Sequence, residues 1–238
     1  MIHQTAVISD KAVIGKNVTI MPFAVIGDVT IGDDCIIHPH VVIADGIVLG
    51  NAVEIFPGAF IGKEPKGAGA LARQPEFERI VKIGNECSIG PNAVIFYDVA
   101  IGNNTLLGDG ASIREKCTIG SRCILSRYVT VNYNTKIGDR TKVMDCTHIT
   151  GNAVIGNDVF ISLLVGTTND NVVRAGYSDH VVGPIIEDNV VIGVGASLLP
   201  AVVIGEGATI GAGSVVTKNV KQKTLVAGVP ARFVKSIE

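Results

Sequence analysis

A chain of 238 residues with a net charge of −2 offers no broad basic face, so nucleic acid is excluded as an expected partner. Charged residues make up 18% of it and hydrophobic residues 47%, against roughly 25% charged in an average domain. With 28 glycines and no tryptophan, the composition favours many tight corners over a core of large rings.

The chain opens on a repeat. Ile2, Ile8, Ile14, Ile20 and Ile26 lie six apart, with Ala6, Ala12, Val18 and Ala24 as small partners four residues after. One residue is dropped after Ile26, and the frame resumes at Ile31, Ile37, Ile43, Leu49, Ile55 and Ile61. From Ile83 to Ile161 a branched aliphatic stands at every sixth position, 14 in a row. The frame returns at Ile186, Ile192, Leu198, Ile204, Ile210 and Val216. Neither the 3.6-residue helix nor the two-residue strand demands a period of six. It is the period of a parallel β-helix, in which each short strand buries one large side chain and then turns. At three hexads per coil, the 31 hexads predict about ten coils.

Met1, Ile2, His3 and Gln4 lack the basic-then-apolar pattern of a secretory leader, and the first coil is expected to start at residue 2 with nothing before it. The longest apolar run, 190–205, contains Pro200, keeps the hexad rule and falls short of the roughly 18 residues of a membrane span. A membrane is therefore not an expected partner. Five cysteines are present. Cys35, Cys87, Cys117 and Cys123 fall on the small inward position and Cys146 one residue before it, so buried thiols are expected rather than disulfides or metal ligands. That usage fits a reducing, cytoplasmic location.

Two stretches break the rule. Residues 62–82 carry Pro65, Lys66, Gly67, Arg73 and Pro75, and residues 166–184 carry Thr167, Thr168, Asn169, Asp170, Asn171, Tyr177 and His180. Loops of that length in a regular solenoid are functional or disordered. The expected division is a solenoid domain over 1–217 and a basic tail over 218–238. Pro230 is placed to open a short capping helix in that tail.

The hexad written by Ile119-Gly120-Ser121-Arg122-Cys123-Ile124 resembles that of the hexapeptide-repeat acyltransferases. The run Ser214-Val215-Val216-Thr217, followed by Leu225-Val226-Ala227-Gly228-Val229-Pro230-Ala231-Arg232, resembles their closing signature. The resemblance implies an all-β, left-handed parallel β-helix, a homotrimer and acetyl-CoA as co-substrate, bound between subunits. The segments Arg127–Asn134 and Asp145–Asn152 most resemble nucleotide-amino-sugar N-acetyltransferases of the dTDP-3-amino-3,6-dideoxyhexose type. A UDP-amino sugar or another acceptor, for N- or O-acylation, stays open. A γ-type carbonic anhydrase needs three zinc-binding histidines, and no pair here has that family's spacing, so no metal is expected. A non-catalytic solenoid would show regular threonine rows and no irregular loops.

N-acetylation asks a protein to orient an amine against a thioester, help a proton leave and stabilise an oxyanion. Residues eighteen apart stack on successive coils. This gathers Arg114, Glu115, Arg127, Asn132, Tyr133, Asp145 and His148 on the outside of the middle coils. His148 is the expected base, with Asp145 nearby and Asn132 as a positioning group; in relatives the departing CoA sulfur can take the proton instead. The column Asp109, Arg127, Asp145 reads equally as a structural charge ladder. The resemblance places Asn169 and Asp170 beside the acceptor sugar. Lys66 and Arg73 are expected at its nucleotide diphosphate. Along the later coils, backbone near Gly195, Ala196 and Gly213 is expected to line the pantetheine arm, and Lys218 and Arg232 to meet CoA phosphates.

Overall fold

The computed structural model describes residues 1–67, 74–170 and 181–237. Among them there is no helix, and so none long and apolar enough to cross a membrane. The chain climbs as a parallel β-solenoid, consistent with the left-handed helix that the resemblance implies. Its short strands form three sheets. Sheet I begins at Val7–Ile8 and has 11 strands, sheet II begins at Val13–Ile14 and has 10, and sheet III begins at Thr19–Ile20 and has 12. The prism therefore makes about eleven turns rather than ten. Strands at Gly166–Thr167 and Thr224–Ala227 supply coil edges that the aliphatic hexads do not mark, with Thr167 and Val226 buried in place of a large isoleucine.

The hexad has a physical cause that is plain at the corner between sheets II and III. A Cβ added to Gly84 would lie 2.4 Å from Asn103 Oδ1 of the next coil. That oxygen accepts the Asn85 N–H at 2.8 Å. The same bond links Asn51 N–H to Asn85 and Ser121 N–H to Asp139, both at 2.8 Å. Glycine leaves room for the ladder, the polar residue after it builds the ladder, and the third residue turns in the left-handed region, as Glu86 does at φ 56°. The small inward residue then closes the corner: Cys87 donates to the Gly102 carbonyl at 3.1 Å and Thr105 to that of Gly120 at 2.9 Å.

The large hexad positions fill the interior, with Ile20, Ile37, Ile55, Ile89, Ile113 and Ile149 all 0% exposed. Four cysteines are buried as expected, and burial pushes the Cys117 thiol up to about 12. Cys146 is a correction. It is exposed, because its left-handed backbone (φ 58°) puts it at the tip of a corner and not inside one.

Strand register confirms the dropped residue. Val7 pairs with Val25, eighteen on, but Val25 pairs with Val42, seventeen on. Both long insertions leave the same corner, from sheet I to sheet II. They are shorter than expected, since strands Phe60–Lys63 and Val81–Ile83 take the ends of the first, and Gly166–Thr167 the start of the second. The expected C-terminal helix is overturned. Arg232–Ser236 is a strand, antiparallel to Thr224–Ala227, because the last parallel strand of sheet III offers an open edge that a backbone ladder satisfies and a helix would not.

Candidate active site

The outward side chains of sheet I run Val94, Ser112, Thr130, His148, Gly166, Ser197, one per coil. The face is thus apolar in the early coils and small or polar in the middle. His148 is exposed there, and its Nδ1 lies 2.7 Å from Thr130 Oγ1. The packed coil beneath partly desolvates the ring and holds its pKa below the ordinary histidine value, so the neutral base is the form present near pH 7. Its strand is held firmly: His148 N–H bonds the Val165 carbonyl at 2.9 Å, and the buried Thr167 hydroxyl donates to the His148 carbonyl at 3.2 Å and accepts from Thr150 N–H at 2.8 Å. Thr167 stands where the hexad would put an isoleucine, and this clamp is what the polar residue does there.

At the corner between sheets I and II, from which both insertions leave, a second group forms. Glu115 is fully buried and pairs in bidentate fashion with Arg114, both contacts 3.0 Å. The Arg114 guanidinium lies 5.7 Å from the Phe96 ring centroid and 5.5 Å from that of Tyr133, and Lys63 Nζ lies 4.6 Å from Phe96. Tyr133 lies across Gly151, where an added Cβ would fall 2.7 Å from the ring. Asn169 Nδ2 donates to the Gly151 carbonyl at 3.1 Å and to Tyr133 OH at 3.4 Å. The structure thus brings together Arg114, Glu115, Tyr133 and Asn169, with Asn132 one outward step along the coil from Thr130. Asp170 is half-buried at the start of the second loop, and Lys66 lines a cleft of about 300 Å³ with Lys63, Phe96 and Arg114. Arg73, Tyr177 and His180 lie outside the described residues.

Arg127 and Asp145 stand apart from this group, at the corner between sheets III and I. Asp145 accepts from Ser126 Oγ, from Arg127 N–H at 3.2 Å and from the Arg127 guanidinium at 2.5 Å. The Ser126 hydroxyl, then Arg127, hold its carboxyl below the usual range. Those partners, rather than His148, occupy the Asp145 carboxylate. Lys218 and Arg232 line one cleft of about 690 Å³ at the end of the solenoid, with Lys221 and Phe233. Gly195 and Gly213 are in the left-handed region at the corner between sheets III and I and do not line that cleft. The N–H groups of Gly195, Ala196 and Gly213 bond Leu163, Gly193 and Val194, so a ligand there meets carbonyls and surface but not those donors. Sequence reasoning missed Lys63, Phe96 and Thr130. The signal for Phe96 was present: the eighteen-residue step that joins Arg114 to Asn132 lands on Phe96 when taken backwards.

Residues 5–45, 98–132 and 183–218 match the family model described as bacterial transferase hexapeptide (six repeats), and residues 80–114 match the hexapeptide repeat of succinyl-transferase; together they take in more than half of the chain. A serine acetyltransferase of Buchnera aphidicola is 41% identical over 98 residues, which are 38% of this chain and 35% of that protein. A 2,3,4,5-tetrahydropyridine-2,6-dicarboxylate N-acetyltransferase of Clostridium perfringens is 48% identical over 54 residues, 23% of each chain. The chain spans about a third or less of the length of these curated relatives. Among solved structures, an Arabidopsis UDP-N-acetylglucosamine acyltransferase superposes with a TM-score of 0.69 at 24% identity, over 99% of this chain and 74% of that one. At that identity the likeness speaks for the fold.

Proposed function

Because the chain belongs to the hexapeptide-repeat family of bacterial transferases, we propose that it carries an acetyl group from acetyl-CoA to the free amine of a nucleotide-linked amino sugar, a dTDP-3-amino-3,6-dideoxyhexose being favoured. The observation that carries this reading is the polar group on the corner from which both insertions leave. There Arg114, Tyr133 and Asn169 form a connected polar wall beside the face that bears His148. Such a wall suits a hydroxylated, anionic acceptor, and a neutral imidazole beside it suits an amine that must lose a proton.

In this reading the amine attacks the thioester carbonyl directly. His148 accepts the proton of the attacking nitrogen, with Thr130 fixing which ring nitrogen is free to do so. The CoA thiolate leaves and the amide is formed. Asn132 and Asn169 position the sugar. Lys218 and Arg232, in the terminal cleft, hold the phosphates of CoA. We place the working site between the subunits of a homotrimer, as the resemblance implies.

The test is release of free thiol from acetyl-CoA against a panel of dTDP- and UDP-linked amino sugars. Turnover is expected on at least one 3-amino sugar nucleotide. No thiol release with any of them, while acetyl-CoA still raises the melting temperature, would sink the acceptor assignment and leave an acyltransferase for a different nucleophile.

A further inference from the structure

We infer that Thr167 is a positioning residue for His148, tying the imidazole on sheet I to the stem of the second loop through one hydroxyl; this rests on His148 being the base of the proposed transfer. The coils below follow a fixed pattern. Thr130 pairs with His148 and Val131 with Ile149. The N–H after each strand then bonds the carbonyl of the large residue one coil on, Arg114 to Val131 at 2.9 Å and Asn132 to Ile149 at 2.8 Å. The next rung departs from this. The register pairs between the two strands stop at His148 and Gly166. The Thr150 N–H is taken at 2.8 Å by the Thr167 hydroxyl, where the pattern would use the Thr167 carbonyl. The same hydroxyl donates to the His148 carbonyl at 3.2 Å. A side chain thus stands in for a main-chain rung and bridges the peptide groups on both sides of Ile149.

The interior does not ask for that hydroxyl. Val131, Ile149, Leu198 and Val216 fill the same place on neighbouring coils, all buried, and Thr167 is 3% exposed. A polar group there is tolerated because it both donates and accepts. Two features direct its effect to the site. The outward place above His148 is Gly166, whose added Cβ would meet nothing within 4 Å, so no side chain wedges the imidazole from that side. The ring is fixed from below, by Thr130 Oγ1 at 2.7 Å from Nδ1, and through its own main chain by Thr167. The side-chain rung also frees the backbone that follows from the coil below. Thr168 N–H keeps its bond to the Leu198 carbonyl at 3.1 Å, while Asn169 turns back to the Gly151 carbonyl and accepts the Val182 N–H at 3.1 Å across the neck of the loop. Thr167 therefore stands between the base and Asn169, joined to both.

Thr167→Val removes the hydroxyl and keeps the shape, and valine already occupies the equivalent place at Val131 and Val216. Two measurements on the full chain test the role. In nitrogen NMR spectra of protein carrying labelled histidine, with His148 assigned by its loss in His148→Ala, we expect one neutral tautomer in the wild type, Nδ1–H donating to Thr130, and a mixture of both in Thr167→Val. In the thiol-release assay we expect Thr167→Val to lower kcat by on the order of tenfold to a hundredfold, the cost of a misplaced base, with the Michaelis constant for acetyl-CoA unchanged. Thr167→Ser keeps the hydroxyl and should recover the single tautomer and most of the rate. An unchanged tautomer or an unchanged kcat in Thr167→Val overturns the role. So does a folded Thr167→Ser that has lost turnover, a result that stands even where the valine variant does not fold. The two proposals fail separately. Equal kcat of wild type and Thr167→Val on an amino-sugar nucleotide rejects the positioning role alone. A shifted tautomer in Thr167→Val without turnover of any amino-sugar nucleotide by the wild type rejects the acceptor alone.

Discussion

His148 has one ring nitrogen at Thr130 and the other free for a substrate, and its pKa lies below the ordinary 6.5 because the coil desolvates it. A base of that kind is already neutral at pH 7. The rate against pH should therefore rise through a midpoint below 6.5 and stay flat above it. A midpoint above 6.5, or none, would move the proton to the departing sulfur. His148→Ala is expected to lower kcat by roughly a hundred- to ten-thousand-fold with a smaller change in the Michaelis constants. The sign for stability follows from the same shift. The unfolded chain binds the proton more readily, so this contribution is fully present above pH 6.5 and is lost as pH falls through the depressed value. Glu115 sets the other residue-scale expectation. It is fully buried while Arg114 is a quarter exposed, so Glu115→Ala leaves a partly buried guanidinium without its bidentate partner. We expect a loss of about 1–3 kcal/mol by thermal unfolding, together with a raised Michaelis constant for the acceptor.

At the scale of the single coil, a corner glycine and a strand glycine are expected to differ. Gly84→Ala drives a methyl into Asn103 Oδ1 and so breaks the ladder that joins two coils. It is expected to cost about 1–3 kcal/mol. Gly166→Ala meets nothing within 4 Å and should change the melting temperature little. Equal losses for the two would mean that the ladder is not what selects glycine. The coil is also the scale at which the sequence was most informative. Ile83 to Ile161 announces inward positions, spacing and the corner glycines, because a buried aliphatic every six residues has no other use. The same logic was blind wherever polar residues build the coil. Thr167 continues the hexad as a buried clamp, yet reads as part of a polar loop. Phe96 lies one eighteen-residue step before Arg114, but Lys63 joins them only through a bulge, which periodicity does not encode. The tail read as a helix from Pro230, but an open sheet edge decided for a strand. Arg127 and Asp145 were drawn into the site because stacking on paper gives the height of a residue along the solenoid and not which of three corners it occupies.

For the molecule as a whole, the question is how the two ends of the reaction meet. His148 lies on sheet I, and the following strands of that sheet are those of Gly166, Ser197 and Val215. The terminal cleft with Lys218 and Arg232 is thus about three coil steps away, roughly 14 Å at the spacing of neighbouring strands. A thioester arm anchored by its phosphates in that cleft must lie along sheet I to reach the imidazole. Past Val215, beside the cleft itself, the side chains under that path are small: Ser197, then Gly166, which has open space above it. β-branched outward residues at the two positions next to His148 would block the way, as Val25 and Val42 fill the same face in the early coils. Gly166→Leu should therefore leave the fold intact, raise the Michaelis constant for acetyl-CoA by on the order of tenfold or more and lower kcat with it, since a displaced thioester is no longer aligned with the amine. Arg232→Ala should raise the same constant while sparing kcat, because it removes an anchor and leaves the path clear. Were Gly166→Leu to match wild type for acetyl-CoA, the arm would have to approach His148 from elsewhere, and the terminal cleft would lose its role in holding the coenzyme.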